Sequence, residues 1–147
     1  MPRVLVVEDD PVNRELVLAL LEGEACEALM ADTADKGLAL AREKQPDLIL
    51  MDVNLPGMSG YEATRQLKMD SATARIPIVA LTAYAMKGED AAAREAGCDG
   101  YLAKPLDSRL FRKLLRCFVF HDPVQPVGYA TRRRIRTPTE PGCPGGA

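Results

Sequence analysis

The feature that most restricts the fold of this chain is a set of five short apolar runs, separated by amphipathic stretches with helical spacing. The runs lie at residues 4–7, 48–51, 78–81 and 101–103, with a weaker strand candidate, interrupted by Glu27, at residues 26–31. Apolar runs of this length without polar alternation are typical of strands covered on both faces. Right-handed crossovers between parallel strands leave few layouts open. We therefore predict an α/β fold with a doubly wound, five-stranded parallel sheet and helices on both faces.

The helices are predicted from start and stop signals and from apolar spacing. Pro11 suits the first turn of a helix, and Val12, Leu16, Ala19 and Leu20 are predicted to form the inner face of that helix. The other helices are predicted at residues 34–44, 61–68, 87–96 and 108–118.

Residues 121–147 differ in composition from the rest of the chain. They contain five prolines and four glycines without an apolar period, which predicts a disordered tail after one folded domain at residues 1–120. The tail carries a basic cluster, for which three interpretations stay open: a solvated segment, a weak salt-dependent contact with nucleic acid or an acidic protein, or the start of a linker. The cluster consists of Arg132, Arg133, Arg134 and Arg136.

Charge and composition exclude several function classes. The formal net charge is −2, and because the tail is basic, the folded part is mildly acidic, which argues against nucleic-acid binding. The four cysteines show no metal-ligand spacing. We find no signal peptide and no run long enough for a membrane span, so we expect a cytoplasmic protein without membrane contact.

Polar side chains follow the predicted strands at the points where they end. Glu8 and Asp9 follow the first strand and Asp52 the third, while Thr82 ends the fourth and Lys104 follows the fifth. Ligand sites in doubly wound sheets lie beyond the carboxyl ends of the strands. We therefore predict that three carboxylates, a hydroxyl and an amine share one edge of the sheet.

Three neighbouring carboxylates predict either raised pKa values or a bound cation. Two unit charges about 4 Å apart repel by roughly 4 kcal/mol at an effective dielectric constant of about 20. Oxygen ligands without histidine or cysteine favour Mg²⁺. A cation beside a carboxylate, with a lysine opposite, is suited to phosphoryl transfer, which depends mainly on positioning and charge neutralisation.

Four motifs in order resemble the receiver domain of two-component response regulators. They are Val-Val-Glu-Asp at residues 6–9, Leu-Ile-Leu-Met-Asp-Val-Asn-Leu-Pro-Gly-Met-Ser-Gly at 48–60, Leu-Thr-Ala at 81–83 and Lys-Pro at 104–105. The resemblance covers residues 3–119 and implies a flavodoxin-like fold with strand order 2-1-3-4-5. It also implies a phosphoaspartate switch that receives its phosphoryl group from a histidine kinase or phosphotransfer protein and signals to a separate effector protein.

The resemblance implies a role for each acidic residue of the site. Asp52 is expected to be the phosphate-accepting residue. Asp9 and Asp52 are expected to hold Mg²⁺ through their carboxylates, Asn54 through its main-chain carbonyl and Glu8 through a bound water.

The resemblance also implies switch residues. Thr82 is expected to bond a phosphoryl oxygen after transfer, and Lys104 to pair first with Asp52 and then with the phosphate. Tyr101 matches an aromatic switch residue, although a tyrosine on a short edge strand is also commonly a packing residue. The bond from Lys104 to Pro105 is expected to be cis, as in relatives.

Two other functions are weighed against the switch. The first is a phosphatase or phosphotransferase with an aspartyl-phosphate intermediate, but such enzymes need an acid two residues after the nucleophile, where this chain has Asn54. The second is a receiver-like interaction module that works without phosphorylation. We expect a stoichiometric phosphoryl acceptor with slow autodephosphorylation rather than an enzyme, with its output surface at residues 87–118.

Overall fold

The computed structural model describes residues 2–82, 89–104 and 106–119. Five parallel strands form one sheet in the order β2-β1-β3-β4-β5, so the predicted doubly wound, flavodoxin-like α/β fold is confirmed. The predicted tail at residues 121–147 and the bond to Pro105 lie outside the described residues. The elements are β1 (Arg3–Val7), α1 (Pro11–Glu22), β2 (Glu27–Ala31), α2 (Ala34–Lys44), β3 (Leu48–Asp52), α3 (Gly60–Met69), β4 (Ile78–Thr82), α4 (Glu89–Ala96), β5 (Gly100–Ala103) and α5 (Ser108–Phe118).

The sheet has an apolar core on each face, because alternate side chains of a strand point to opposite sides. Val4 and Val6 of β1 belong to the core under α1 and α5. Leu5 and Val7 belong to the core under α2, α3 and α4. Both faces of the central strands are therefore covered, which explains why their sequences lack polar alternation.

The predicted inner face of α1 is wrong for three of its four residues, and only Leu20 packs against the core. Val12 and Leu16, predicted to be inward, are 73% and 41% exposed, and Ala19 is also exposed. The residues that α1 buries against the sheet are Val17 and Leu21. Residues 16–21 are all apolar, so helical spacing does not determine which face turns inward. Packing against the sheet decides it, and an apolar ridge stays on the surface.

The start of α3 touches the end of β3. A Cβ atom at Gly60 would lie 2.2 Å from the main-chain oxygen of Asp52, so any side chain there would force the two elements apart. The Gly60 amide donates to the Val53 carbonyl at 3.1 Å, and Ser59 caps α3 by accepting from the Glu62 amide at 3.2 Å. This close approach holds the main chain at the carboxyl end of β3.

A buried ion pair links α3 to the opposite end of the sheet. Lys68 Nζ donates to Asp99 Oδ2 at 3.1 Å and to the carbonyls of Ala74 and Ile76 at 3.1 and 2.8 Å. Asp99 Oδ2 also accepts from the Ile78 amide at 2.7 Å. The Asp99 side chain is only 1% exposed, so its charge depends on these partners.

We expect the change Asp99→Ala to lower the free energy of unfolding by about 3 kcal/mol, because it leaves a buried ammonium without its counter-ion. Urea unfolding followed by circular dichroism measures the loss. Asp99→Asn serves as the matched control, since it keeps an acceptor for the Ile78 amide and removes only the charge. We expect its loss to be smaller. A loss below about 1 kcal/mol for the alanine variant would contradict this role.

Candidate functional site

The polar residues singled out in the sequence lie at the carboxyl edge of the sheet. Glu8 and Asp9 directly follow β1, and Asp52 is the last residue of β3. Thr82 is the last residue of β4, and Lys104 directly follows β5. Glu8, Asp52 and Thr82 are 1–2% exposed, whereas Asp9 is exposed to solvent. The edge therefore holds two buried carboxylates beside one that solvent reaches.

The three carboxylates form a cluster. One oxygen atom from each of Glu8, Asp9 and Asp52 lies within 4.8 Å of the others. A set of carboxylate oxygens suits a hard divalent cation. These residues could therefore hold a metal ion.

The loop that carries the two N-terminal acids is held by α1. Asp10 caps the helix by accepting from the Val12 amide at 3.0 Å. The Arg14 guanidinium donates to the carbonyls of Glu8 and Asp9 at 3.1 and 3.2 Å. Arg14 thus contacts Glu8 and Asp9 through their main-chain carbonyls and not through the carboxylates that form the cluster.

Lys104 connects the fifth strand to the acidic cluster. Its Nζ atom lies 2.8 Å from Glu8 Oε1 and 3.3 Å from Asp52 Oδ1. Its main-chain amide donates to the Thr82 carbonyl at 2.7 Å, which keeps β5 paired with β4 up to the site. Burial alone lowers the pKa of Lys104, but the hydrogen bond to Glu8 and the charge of Asp52 outweigh it, so the pKa is raised. The amine is a stable cation at this edge.

Glu8 is the acid whose proton affinity the site changes most. Burial, followed by a side-chain hydrogen bond with Asp52, raises the pKa of Glu8 from 4.5 to about 7, and Lys104 offsets only part of this rise. The Asp10 amide donates to Glu8 Oε2 at 3.2 Å. Without a cation, Glu8 is therefore partly protonated at neutral pH.

This raised pKa predicts that the metal-free protein loses stability as the pH rises. Since the folded state holds the Glu8 proton more tightly than the unfolded state, the contribution is fully present below pH 4.5 and is lost as the pH passes about 7. We expect a loss of roughly 2 kcal/mol, less than the full shift because solvent screens the cluster. Urea unfolding in the presence of a chelator, at several pH values across this window, measures it.

Glu8→Gln is expected to flatten this pH profile, because the amide does not titrate. Glu43→Gln, which removes an exposed carboxylate on α2, is the matched control and is expected to keep the wild-type slope. An unchanged slope in Glu8→Gln would show that another group titrates in this range.

Asn54 contacts the cluster directly, whereas Tyr101 lies on β5. The main-chain amide of Asn54, in the loop after β3, donates to Asp52 Oδ1 at 3.1 Å and orients the Asp52 carboxylate. Tyr101 is half-buried on β5 and packs against the apolar core that includes Ala80 and Ala93.

Sequence reasoning missed a small cavity beside the cluster. Its volume is about 40 Å³, and the exposed ridge of α1 borders it through Leu16. The signal was present in α1, whose apolar residues are too many for one buried face. The cavity is lined by Glu8, Asn13, Leu16, Val17, Leu81, Lys104 and Leu106.

The sheet order and the polar carboxyl edge define a flavodoxin-like α/β protein with an acidic site at the ends of its strands. The chain belongs to the response regulator receiver domain family, which matches residues 4–116. It is a receiver domain of two-component systems. Among the described residues, no helix is both long and apolar enough to cross a bilayer.

Relatives with similar sequences and structures have related names. The polar-differentiation response regulator DivK of Brucella anthropi is 40% identical over 120 residues, which are 81% of this chain and 98% of the relative. The receiver domain of the sensor histidine kinase PA1611 of Pseudomonas aeruginosa, solved with magnesium coordinated in its active-site cleft, is 34% identical with a TM-score of 0.73. That match covers 78% of this chain and 94% of the other.

A chemotaxis regulator is similar as well. The chemotaxis response regulator CheY4 of Vibrio cholerae is 30% identical with a TM-score of 0.74, and the match covers 79% of this chain and 97% of that one. Relatives of this chain therefore include single response regulators and the receiver domain of a sensor kinase.

Proposed function

We propose that this receiver domain is a phosphoaspartate switch in which Asp52 accepts a phosphoryl group from a histidine kinase or a phosphotransfer protein. The observation that carries the proposal is the position of Asp52 within an acidic cluster and beside a cation. Lys104 Nζ lies 3.3 Å from Asp52 Oδ1, and the carboxylates of Glu8 and Asp9 complete the cluster. In this proposal, the protein is located in the cytoplasm and meets its kinase there.

The cluster supports Mg²⁺ as the cofactor. Asp9 and Asp52 would hold it through their carboxylates, with Glu8 acting through a water and Asn54 through its main-chain carbonyl. The similar receiver domain of PA1611 holds magnesium in its active-site cleft. When bound, the ion neutralises negative charge on the transferring phosphoryl group.

The transfer needs a positioned nucleophile more than an acid or base. An Asp52 carboxylate oxygen forms the new bond to phosphorus while the bond from phosphorus to the donor's histidine nitrogen breaks. The electron pair of that bond stays on the imidazole. Lys104 lies beside the accepting carboxylate and stabilises the charge that the phosphoryl oxygens bring.

The phosphorylated state would differ from the free state through Thr82, Lys104 and Tyr101. Moving a population from one in a hundred to ninety-nine in a hundred takes about 5.5 kcal/mol of differential free energy. Hydrogen bonds to charged groups contribute roughly 1.5–3 kcal/mol each. One bond from the Thr82 hydroxyl and one from Lys104 can therefore supply much of the shift, and Tyr101 would follow through its packing on β5.

The proposed protein is a stoichiometric acceptor rather than an enzyme, and it would return to the free state by slow hydrolysis of the acyl phosphate. A phosphatase with the same intermediate needs an acid two residues after Asp52, and Asn54 offers none. Continuous release of phosphate from a small ester, beyond one equivalent of protein, would favour the phosphatase instead.

The donor protein would dock on the exposed ridge of α1. Its phosphohistidine has to reach Asp52 within bonding distance, so its surface must cover this edge of the sheet. Val12 and Leu16 are exposed there, and the cavity beside Leu16 also touches Lys104 and Leu106. An apolar side chain of the donor can fill this hollow while the histidine lies over the acidic cluster.

We expect Leu16→Ser to slow transfer from a phosphorylated histidine phosphotransfer protein by roughly tenfold or more, because it weakens docking. The rate of phosphorylation by a small phosphoryl donor should stay unchanged, because a small molecule does not dock on the α1 ridge. Met69→Ser is the matched control, because Met69 is 85% exposed at the C-terminal end of α3. Equal slowing with both donors would place the defect at the acidic cluster and not in docking.

Intact-mass measurement after incubation with Mg²⁺ and phosphoramidate tests the proposed function. We expect the mass to rise by one phosphoryl group and the rise to disappear with a chelator. A wild-type protein that takes no phosphoryl group under these conditions would instead be a receiver-like interaction module.

A further inference from the structure

The outer surface of α5 is a continuous cationic stripe. Its inner face is apolar, with Phe111, Leu114, Leu115, Cys117 and Phe118 buried. The helix has no acidic residue along its 11 positions. The stripe consists of Arg109, Arg112, Lys113 and Arg116, which are exposed or half-buried.

The four cations of this stripe lie side by side on one helix face, without a carboxylate partner among the residues that the structure describes. Within the described ranges, none of the four side chains forms an ion pair or a hydrogen bond. Of the ten other described cations, six pair with carboxylates, and the four that do not are scattered over the chain: Arg14, Lys44, Arg75 and Arg94.

The helix accounts for only one end of the stripe, because Arg116 lies in the last turn, where the helix dipole favours a positive charge. Arg109 lies in the first turn, where the helix dipole disfavours a positive charge. The pairs Arg109 with Lys113 and Arg112 with Arg116 place like charges four residues apart, which repel each other. The tail of the chain is not suited to cover the stripe, because residues 121–147 carry more basic than acidic side chains.

We infer that the α5 stripe is a docking surface for an acidic segment of another protein. The stripe runs from Arg109 to Arg116, about 11 Å along the helix axis, which matches a short helix or extended peptide with several carboxylates. A nucleic-acid duplex carries charge over a much greater length and would also meet the acidic remainder of the molecule. The segment therefore fits better than a long polyanion.

The inference gives a chemistry to the effector contact of the proposed function, but it rests on the charge pattern of α5 alone. Only Lys104 and three further residues separate β5 from the first residue of α5, Ser108. The stripe is therefore joined by a short linker to the acidic cluster, so a partner bound to α5 can respond to changes at that edge.

Backbone amide spectra of the ¹⁵N-labelled protein with added oligoglutamate peptide test the inference. We expect shifts confined mainly to α5, and a severalfold weaker affinity when NaCl rises from about 50 to about 300 mM. The double variant Arg109→Glu with Arg116→Glu should weaken binding by roughly tenfold or more. Both residues are exposed, and the same spectra report whether the variant is folded.

The matched control is Lys36→Glu with Lys44→Glu, which changes the net charge equally on α2, at the other face of the sheet. It should bind the peptide almost as well as the wild type. Equal weakening in both double variants would show a net-charge effect and overturn the inference. So would tighter binding of a DNA duplex than of the peptide to α5, or a dimer in sedimentation that only the α5 variant loses. None of these results depends on whether Asp52 accepts phosphate.

Discussion

Replacing Asp52 by alanine is expected to abolish the phosphoryl adduct completely, because the variant lacks the oxygen atom that forms the bond to phosphorus. The Asp52 side chain is 3% exposed and lies beside the Lys104 ammonium. Among the described residues, Glu8 is the only other carboxylate that both belongs to the cluster and contacts this ammonium. Intact mass after incubation with Mg²⁺ and phosphoramidate measures the result.

Asp47→Ala is the matched control for this experiment. Asp47 lies directly before β3, at the opposite end of the strand from Asp52, and accepts from the Arg3 amide at 2.9 Å. It should take up phosphate like the wild type. An adduct that persists on Asp52→Ala would move the acceptor to another residue, and peptide mapping would test Glu8 first.

Replacing Asp9 by asparagine is expected to weaken Mg²⁺ binding by about tenfold to hundredfold, because one of three negative charges around the ion is lost. The lower end of that range applies if solvent screens this exposed carboxylate strongly. Isothermal titration calorimetry at constant pH gives the affinity. At a limiting Mg²⁺ concentration, the rate at which the phosphoryl adduct forms should fall in proportion to the loss of Mg²⁺ affinity.

Asp10→Asn is the control for Asp9→Asn, because it makes the same chemical change one residue further along the chain. The Asp10 side chain caps α1 and is not in the cluster, and asparagine is an equally good cap. Its Mg²⁺ affinity should stay close to that of the wild type. Equal weakening in both variants would mean that the overall negative charge of the loop, and not the Asp9 ligand, attracts the ion.

Both predictions follow from a charge imbalance at the edge of the sheet. Lys104 is the one ammonium in contact with the cluster of Glu8, Asp9 and Asp52 among the described residues. One positive charge does not neutralise three carboxylates, and burial together with the neighbouring Asp52 raises the pKa of Glu8 to about 7. A divalent cation would remove the need for that proton, and we therefore expect Mg²⁺ binding to tighten as the pH rises through about 7.

Much of the fold could be predicted from the order of short-range patterns. The apolar runs without alternation specified buried parallel strands, and the bounds of α5 match the prediction at both ends. Carboxyl ends of parallel strands lie at one edge, so chain order was enough to assign Glu8, Asp52 and Lys104 to the same region. These properties depend on the spacing of residues along the chain and on general rules of topology.

The facing of α1 and the contacts of individual charges were decided only by the tertiary structure. Val17 rather than Leu16 turns inward because the sheet selects one of several apolar faces, and this choice leaves the ridge beside the cavity. The raised pKa of Glu8 comes from burial and from Asp52, a residue 44 positions away in the sequence. The sequence thus determined which groups reach the edge, whereas distances and burial, which depend on packing between remote segments, determined how strongly they interact.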